Sequence, residues 1–221
     1  MKKFVIIVAG GTGSRMGTDI PKQFLKICGK PVLMRTIEVF YEFDPECDLI
    51  LVLPAAQQEF WADLCLKHSF ILPHRLALGG ETRFHSVKNG LNHIHGDGIV
   101  FIHDGVRPLV SRQTIERCYQ MAQKNGNAIP VLRVNESLRK QKGHQSVSVD
   151  RTLYLSVQTP QTFRSDQILK AFEQDFDPAF TDDASVAEKV GFPIFMVEGN
   201  RENIKITTPS DLIVAEAFLR N

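Results

Sequence analysis

Apolar runs of strand length that alternate with helix-period stretches predict an α/β protein: a Rossmann-like, mostly parallel sheet flanked by helices. Two further observations shape the expectation. A glycine-rich loop follows the first apolar run directly, and a basic stretch at about 133–152, poor in core residues, fits a protruding β-hairpin arm. With neither internal repeat nor linker in view, the 221 residues are expected to form a single domain, 1–221.

The elements follow in order. Phe4–Val8 reads as a buried strand, and Pro31 can open a helix that continues to about Glu42. Leu49–Leu53 is the next strand, Gln58–Lys67 a helix, and His74–Leu78 a weaker strand ahead of Gly79-Gly80. Val87, Leu91 and Ile94 recur at helical spacing and mark one buried face. Ile99–His103 is a strongly apolar strand, Thr114–Lys124 a helix and Ala128–Val131 a strand. From Arg133 to Arg151 the pattern breaks. Arg139, Lys140, Lys142 and His144 leave little to bury, and the alternation Ser146-Val147-Ser148-Val149 suggests a strand returning after a turn at Lys142-Gly143, either as an arm or as a solvated edge hairpin. Helices near Ser165–Asp175 and Ala184–Val190, strands near Ile194–Val197 and Ile204–Thr207, and a last helix from Pro209 complete the sheet.

Composition excludes several classes. The 43% apolar and 23% charged residues lie within the ordinary globular range, which removes disorder and low-complexity architectures. Lys and Arg number 26 against 25 Asp and Glu, so no global field attracts nucleic acid or an anionic membrane surface, and an anionic ligand needs a local cluster. Phe4–Ala9 is too short to cross a bilayer. Cys28, Cys47, Cys65 and Cys118 stand far apart with no C-x-x-C pair, which points to a reducing cytoplasm rather than a disulfide framework. Seven histidines, His93 and His95 among them, show no metal-ligand spacing, so no direct metal ligand is assigned.

The loop Ala9-Gly10-Gly11-Thr12-Gly13-Ser14-Arg15-Met16-Gly17 lets backbone N–H groups approach an anion without obstruction by Cβ atoms. Met16 occupies the third small position of a dinucleotide fingerprint, and no G-K-[ST] closes a P-loop. Arg15 lies within the loop and Lys22 follows Pro21, so a planar and a mobile cation flank the phosphate cradle. Such cations stabilise a transferring phosphoryl or nucleotidyl group as its charge redistributes. Asp104 and Arg107 follow the strand Ile99–His103, at the strand end where an open α/β sheet places ligands. An acceptor beside a bidentate donor suits a polyol phosphate, and equally suits an Asp turn with a local pair. Lys205 between Ile204 and Ile206 would need an anion if it faced inward and none if it faced out on an edge.

The pattern Ala-Gly-Gly-x-Gly-x-Arg-Met-Gly followed by Pro21-Lys22-Gln23-Phe24-Leu25 resembles the start of sugar-phosphate nucleotidyltransferases, and within them the 2-C-methyl-D-erythritol 4-phosphate cytidylyltransferase family. The resemblance runs from Phe4 to about Leu219. Its other motifs are Gly79-Gly80-Glu81-Thr82-Arg83 with Ser86, His103-Asp104-Gly105-Val106-Arg107-Pro108, Val149-Asp150-Arg151 with Thr159-Pro160-Gln161, and Thr181-Asp182-Asp183-Ala184-Ser185 with Asn203-Ile204-Lys205.

The resemblance implies transfer of CMP from CTP to a polyol phosphate in non-mevalonate isoprenoid synthesis, with release of pyrophosphate. Position by position, it implies that Ala9, Gly10 and Gly11 line the CTP site, that Arg15 and Lys22 stabilise the transition state, and that Gly80, Glu81 and Ser86 hold cytosine and ribose. Glu81 stands where the family usually has Asp, and in the first turn of a helix its charge also suits the helix dipole. Asp104 and Arg107 are implied to bind methylerythritol phosphate, with Asp104 and Gly105 near the nucleotide; Gly105 replaces a usual alanine, which reads as a minor change. Ser137, in place of threonine, with Arg151, Thr159, Thr181 and Lys205, completes the implied substrate set, and Arg151 and Lys205 join Arg15 and Lys22 as catalytic.

A substrate phosphate is ionised near neutral pH, so an in-line attack on the α-phosphorus needs no protein nucleophile and no general base. Magnesium is expected on the triphosphate oxygens with retained waters, Asp104 being the best indirect protein ligand. The family implies a homodimer whose arms reach the partner's site. Two alternatives stay open: ribitol-5-phosphate cytidylyltransferase, which commonly lacks a threonine at the position of Thr181, and a non-catalytic nucleotide-binding module, against which the pairing of Arg15 with Lys22 argues.

Overall fold

The structure is a computed structural model and describes residues 1–11 and 20–220. Its first strand, β1 (Lys2–Val8), lies between β4 (Asp48–Leu53) and β6 (Gly98–Asp104) and is parallel to both; β5 (Arg75–Leu78) extends the parallel sheet beyond β4. The short hairpin β2 (Lys26–Ile27) and β3 (Lys30–Pro31) precedes helix α1 (Val32–Phe43), which Pro31 opens as expected. Helices α2 (Ala55–Lys67), α3 (Arg83–Leu91) and α4 (Arg112–Asn125) connect the later strands.

Beyond β6 the sheet becomes mixed. β7 (Asn127–Arg133) does not pair with β6 directly. Between them runs β11 (Gln161–Arg164), antiparallel to both, while β10 (Leu155–Val157) and β12 (Met196–Glu198) pair with β7, antiparallel and parallel respectively. Neither β10 nor β11 is legible in the residue pattern, because each has only three or four residues and their partners lie far away in the chain. The arm is a hairpin of β8 (Arg139–Lys142) and β9 (Gln145–Ser148), turning through Gly143 at φ +59°. Helix α5 (Ser165–Ala171) ends four residues short of the expected Asp175; α6 (Asp183–Lys189) and α7 (Pro209–Arg220) follow. The expected strand at Ile204–Thr207 does not form. That stretch forms no ladder and is joined to the segment after β6 by the Ile206 N–H, which donates to the Val106 carbonyl at 2.9 Å.

The middles of the central strands β1, β4 and β6 are apolar because both faces of the sheet are covered there. Val5 and Ile7 of β1, Leu49 and Leu51 of β4, and Phe101 of β6 pack beneath Leu33, Ile37 and Phe40 of α1 and Ile115 of α4. Their neighbours Phe4, Ile6, Ile50, Val52 and Val100 pack on the opposite face with Val87 and Leu91 of α3, Ile168 of α5 and Val186 of α6. Strand order reverses at β1, where the chain runs outward to β4 and β5 before returning to β6 on β1's other side. The carboxyl ends of β1 and β6 therefore form a switch-point crevice, the position where open α/β sheets bind ligands. Among the described residues, no helix is long and apolar enough to cross a membrane.

Candidate active site

A cleft of about 300 Å³ opens at that switch point. Its lining includes Ala9, Gly10, Gly11, Lys22, Gly80, Glu81, Ser86, Asp104 and Lys205, so residues from distant parts of the chain meet in one hollow.

One wall follows β1. The Gln23 side chain is 1% exposed and places its Nε2 2.9 Å from the Ala9 carbonyl and 3.2 Å from that of Gly11, which fixes the start of the glycine loop. The short helical turn Lys22–Phe24 that carries Gln23 also carries Lys22, which is buried against the cleft. Arg15, expected here, lies outside the described residues.

The second wall is the turn between β5 and α3. Gly80 has no room for a Cβ, which would stand 2.4 Å from the His85 Cβ. Its N–H donates to Ser86 Oγ at 3.0 Å, and Ser86 in turn donates to the Thr82 carbonyl at 3.0 Å. Both contacts shape the turn and leave the Ser86 oxygen one acceptor position. Thr82 caps α3. Glu81 is exposed at the cleft's rim.

The third wall is electrostatic. Asp104 Oδ2 lies 3.0 Å from Arg107 Nε and 3.1 Å from Lys205 Nζ, and Oδ1 lies 3.8 Å from Arg83 Nε. Burial raises the Asp104 pKa, but Arg83, Lys205 and Arg107 outweigh it and hold the carboxyl well below the usual range. Arg83 makes two parallel bonds to Asp183, at 2.8 and 2.7 Å. Burial works against the Arg83 charge, and Asp183 and Asp104 together more than restore it. Lys205 thus has the anion that an inward cation requires, supplied without a strand at Ile204–Thr207.

Thr159, Thr181 and Gly105 are not among the residues that line the cleft. The Asp104 N–H donates to Thr159 Oγ1 at 3.1 Å. Thr181 precedes α6 and is exposed; its N–H donates to Ser185 Oγ at 3.1 Å. Both ends of the Gln161 amide clamp this helix start, with Nε2 to Asp182 Oδ2 at 2.7 Å and Oε1 from the Ala184 N–H at 2.8 Å. Gly105 is no neutral exchange for alanine in this chain: a Cβ there would stand 2.8 Å from the Ala9 Cβ and 3.1 Å from Leu33 Cδ1.

Ser137 and Arg151 are not brought to the cleft by their own chain. Both are exposed on the arm, where Arg151 donates to the Asn135 carbonyl and lines a separate hollow with Arg133 and Tyr154.

Sequence reasoning missed Arg83, Gln23 and Asp183 as site residues. Arg83 carried a signal, since a cation in the first turn of a helix opposes the helix dipole and calls for a carboxylate partner. Gln23 and Asp183 carried none, because their importance is a matter of burial. Chemically, the described lining offers cations and backbone amides for phosphates and ionised or hydroxyl acceptors for alcohols. Among the described lining residues, the hydroxyls are those of Ser86 and Thr82: Ser86 donates to the Thr82 carbonyl, and Thr82 Oγ1, 2.9 Å from His85 Nδ1, is held at the start of α3 as its cap.

An open α/β sheet with a glycine-led loop at its switch point, faced by lysine and arginine, is the framework of a nucleotidyltransferase. The chain belongs to the 2-C-methyl-D-erythritol 4-phosphate cytidylyltransferase family, whose model, described as IspD, 2-C-methyl-D-erythritol 4-phosphate cytidylyltransferase, matches residues 3–221. It is 56% identical over 219 residues to the protein of that name from Bacteroides fragilis, covering 99% of this chain and 100% of the relative. The corresponding protein from Phocaeicola vulgatus is 55% identical over 219 residues, with the same coverage. The crystal structure of the Thermus thermophilus cytidylyltransferase superposes with a TM-score of 0.83 at 30% identity, covering 100% of both chains.

Proposed function

We propose that the protein transfers CMP from CTP to 2-C-methyl-D-erythritol 4-phosphate and releases pyrophosphate, in non-mevalonate isoprenoid synthesis in the cytoplasm. The observation that carries this is the Asp104 cluster, an ionised carboxylate held by Arg83, Arg107 and Lys205 beside the glycine loop and Lys22. It offers acceptors to a polyol and cations to phosphate at adjacent points. The residues named for CTP would work from the first two walls: Ala9, Gly10 and Gly11 toward the phosphates, and Gly80, Glu81 and Ser86 toward cytosine and ribose.

An oxygen of the polyol's phosphate attacks the α-phosphorus in line. The new O–P bond forms as the bond to the β-phosphate bridging oxygen breaks, and pyrophosphate leaves with that electron pair. No proton has to move, so the protein's task is alignment and charge neutralisation. Arg15 and Lys22 would neutralise the α-phosphate, while Asp104, Arg107, Thr159, Thr181 and Lys205 orient the polyol phosphate.

Magnesium fits a site of this kind if the triphosphate supplies its ligands, because Asp104 already faces three cations and Glu81 is the other carboxylate on the described lining. Both would act through metal-bound water. The metal's contribution is to offset charge on the departing pyrophosphate.

Ser137 and Arg151 would act across a homodimer, each arm reaching the partner's cleft. Support comes from the exposure of the segment that follows the hairpin: Leu153 is 79%, Tyr154 47% and Leu155 39% exposed.

Pyrophosphate release with CTP, magnesium and either 2-C-methyl-D-erythritol 4-phosphate or ribitol 5-phosphate tests the assignment. Faster turnover of the methylerythritol substrate is expected. Preference for ribitol phosphate, or CTP binding with no release from either, would overturn it.

A further inference from the structure

His103 is fully buried directly before Asp104, and both its ring nitrogens are engaged. Nε2 lies 2.9 Å from the Arg107 carbonyl, and Nδ1 lies 3.0 Å from Thr159 Oγ1. A carbonyl can only accept, so Nε2 carries the proton; Nδ1 must then accept, and the Thr159 hydroxyl must donate to it. The same threonine oxygen accepts from the Asp104 N–H at 3.1 Å. Two more bonds close a circuit: Arg107 Nη1 to the Asn203 carbonyl at 2.8 Å, and Asn203 Nδ2 to the Thr159 carbonyl at 2.8 Å. Phe40 stands edge-on to the imidazole at 5.0 Å between ring centres and restrains its rotation.

The circuit joins the three segments that carry Asp104 and Arg107, Thr159, and Lys205. We propose that His103 is a positioning residue for the polyol phosphate: it pins the Arg107 main chain and takes the Thr159 proton, so that the buried Thr159 Oγ1 is left as the acceptor of the Asp104 N–H and fixes where Asp104 and Arg107 face the substrate. This rests on the cytidylyltransferase assignment and adds a polarity to it. Asp104, held in this way on the cleft wall, accepts, and a substrate hydroxyl donates to it. An analogue with an ether or carbonyl in that place leaves one acceptor facing another, which is repulsive.

Two measurements test it. In wild-type protein labelled with nitrogen-15 in histidine, His103 should show a protonated Nε2 and an unprotonated Nδ1 across ~pH 5.5–8; the opposite tautomer, or an imidazolium, overturns the proposal. In steady-state kinetics, His103→Phe and Thr159→Val should each raise KM for the polyol phosphate ~10-fold while KM for CTP stays within ~2-fold. Combined, they should add less than ~2-fold to either alone, because they act through one contact. His103→Asn, whose amide oxygen can stand in for Nδ1, should recover most of the polyol KM; His103→Gln, whose amide can keep the bond to the Arg107 carbonyl but leaves Thr159 without its acceptor, carries the same cycle if His103→Phe does not fold. Additive effects, or equal rises in both KM values, would sink the idea. Wild-type enzyme that turns over no polyol phosphate would instead defeat the assignment of function, with the tautomer still deciding the circuit.

Discussion

Arg83 and Asp183, one hundred residues apart, are joined by two parallel hydrogen bonds of 2.8 and 2.7 Å that tie the start of α3 to the start of α6. The second shared feature is aromatic: Phe84 stacks on Phe180, just before Thr181, with ring centres 5.6 Å apart. The walls assigned to CTP and to the polyol are thus braced against each other. Asp183 is 1% exposed, so Arg83→Met strands a buried carboxylate and should lower unfolding free energy by about 3 kcal/mol. Arg83→Met with Asp183→Leu should recover most of that loss. Urea unfolding checks both, and a single variant as stable as wild type would show that the pair braces nothing.

Lys22→Ala and Arg15→Ala should lower kcat by roughly 10²-fold or more while CTP binding, measured by calorimetry, changes far less. Unchanged turnover with only a raised KM for CTP would reassign both cations to ground-state binding.

Gly105→Ala should destabilise the protein by about 1–3 kcal/mol, because the new methyl meets the Ala9 Cβ and the Val8 carbonyl, which cannot swing aside, and the fully buried Leu33 of α1. KM for CTP should rise with it, since Ala9 is the neighbour that must move. A thermal melt and a CTP titration read the two effects.

Burial pushes the His103 imidazole from 6.5 down to about 4. An unfolded chain therefore takes up this proton at a higher pH than the folded one, so the neutral histidine's contribution to stability is full above ~pH 6.5 and is lost as the pH falls toward about 4. Between ~pH 7.5 and ~pH 5 the loss should be about 2 kcal/mol in wild type. It should be absent from His103→Phe. Asp104 is depressed as well, but its window lies below the ordinary carboxylate range, so it stays ionised over this interval. Urea midpoints at the two pH values make the comparison, and parallel losses would mean that His103 protonates in place.

Mixing Arg151→Ala chains with Lys22→Ala chains, each inactive alone, should restore activity once subunit exchange is verified. In the mixed dimer one cleft carries both defects, and the other has an intact Lys22 with an intact Arg151 from its partner. Mixing that restores nothing would show that each arm serves its own chain.

The residue pattern by itself determined the alternating framework. Phe4–Val8, Leu49–Leu53 and Ile99–His103 are apolar runs that the sheet buries almost completely, and the glycine loop with Lys22 points to an anion because glycines open backbone amides beside a cation, whereas Asp104 suits a turn and Lys205 an edge as well as a site. Only the tertiary structure decided what these groups face. The insertion of Gln161–Arg164 between β6 and β7 depends on pairing across long stretches of chain, which a four-residue segment does not encode locally. Likewise Arg83 finds Asp183, Lys205 finds Asp104, and His103 receives its tautomer from Arg107 and Thr159 because the fold removes water from groups distant in sequence and leaves each to be satisfied by the others.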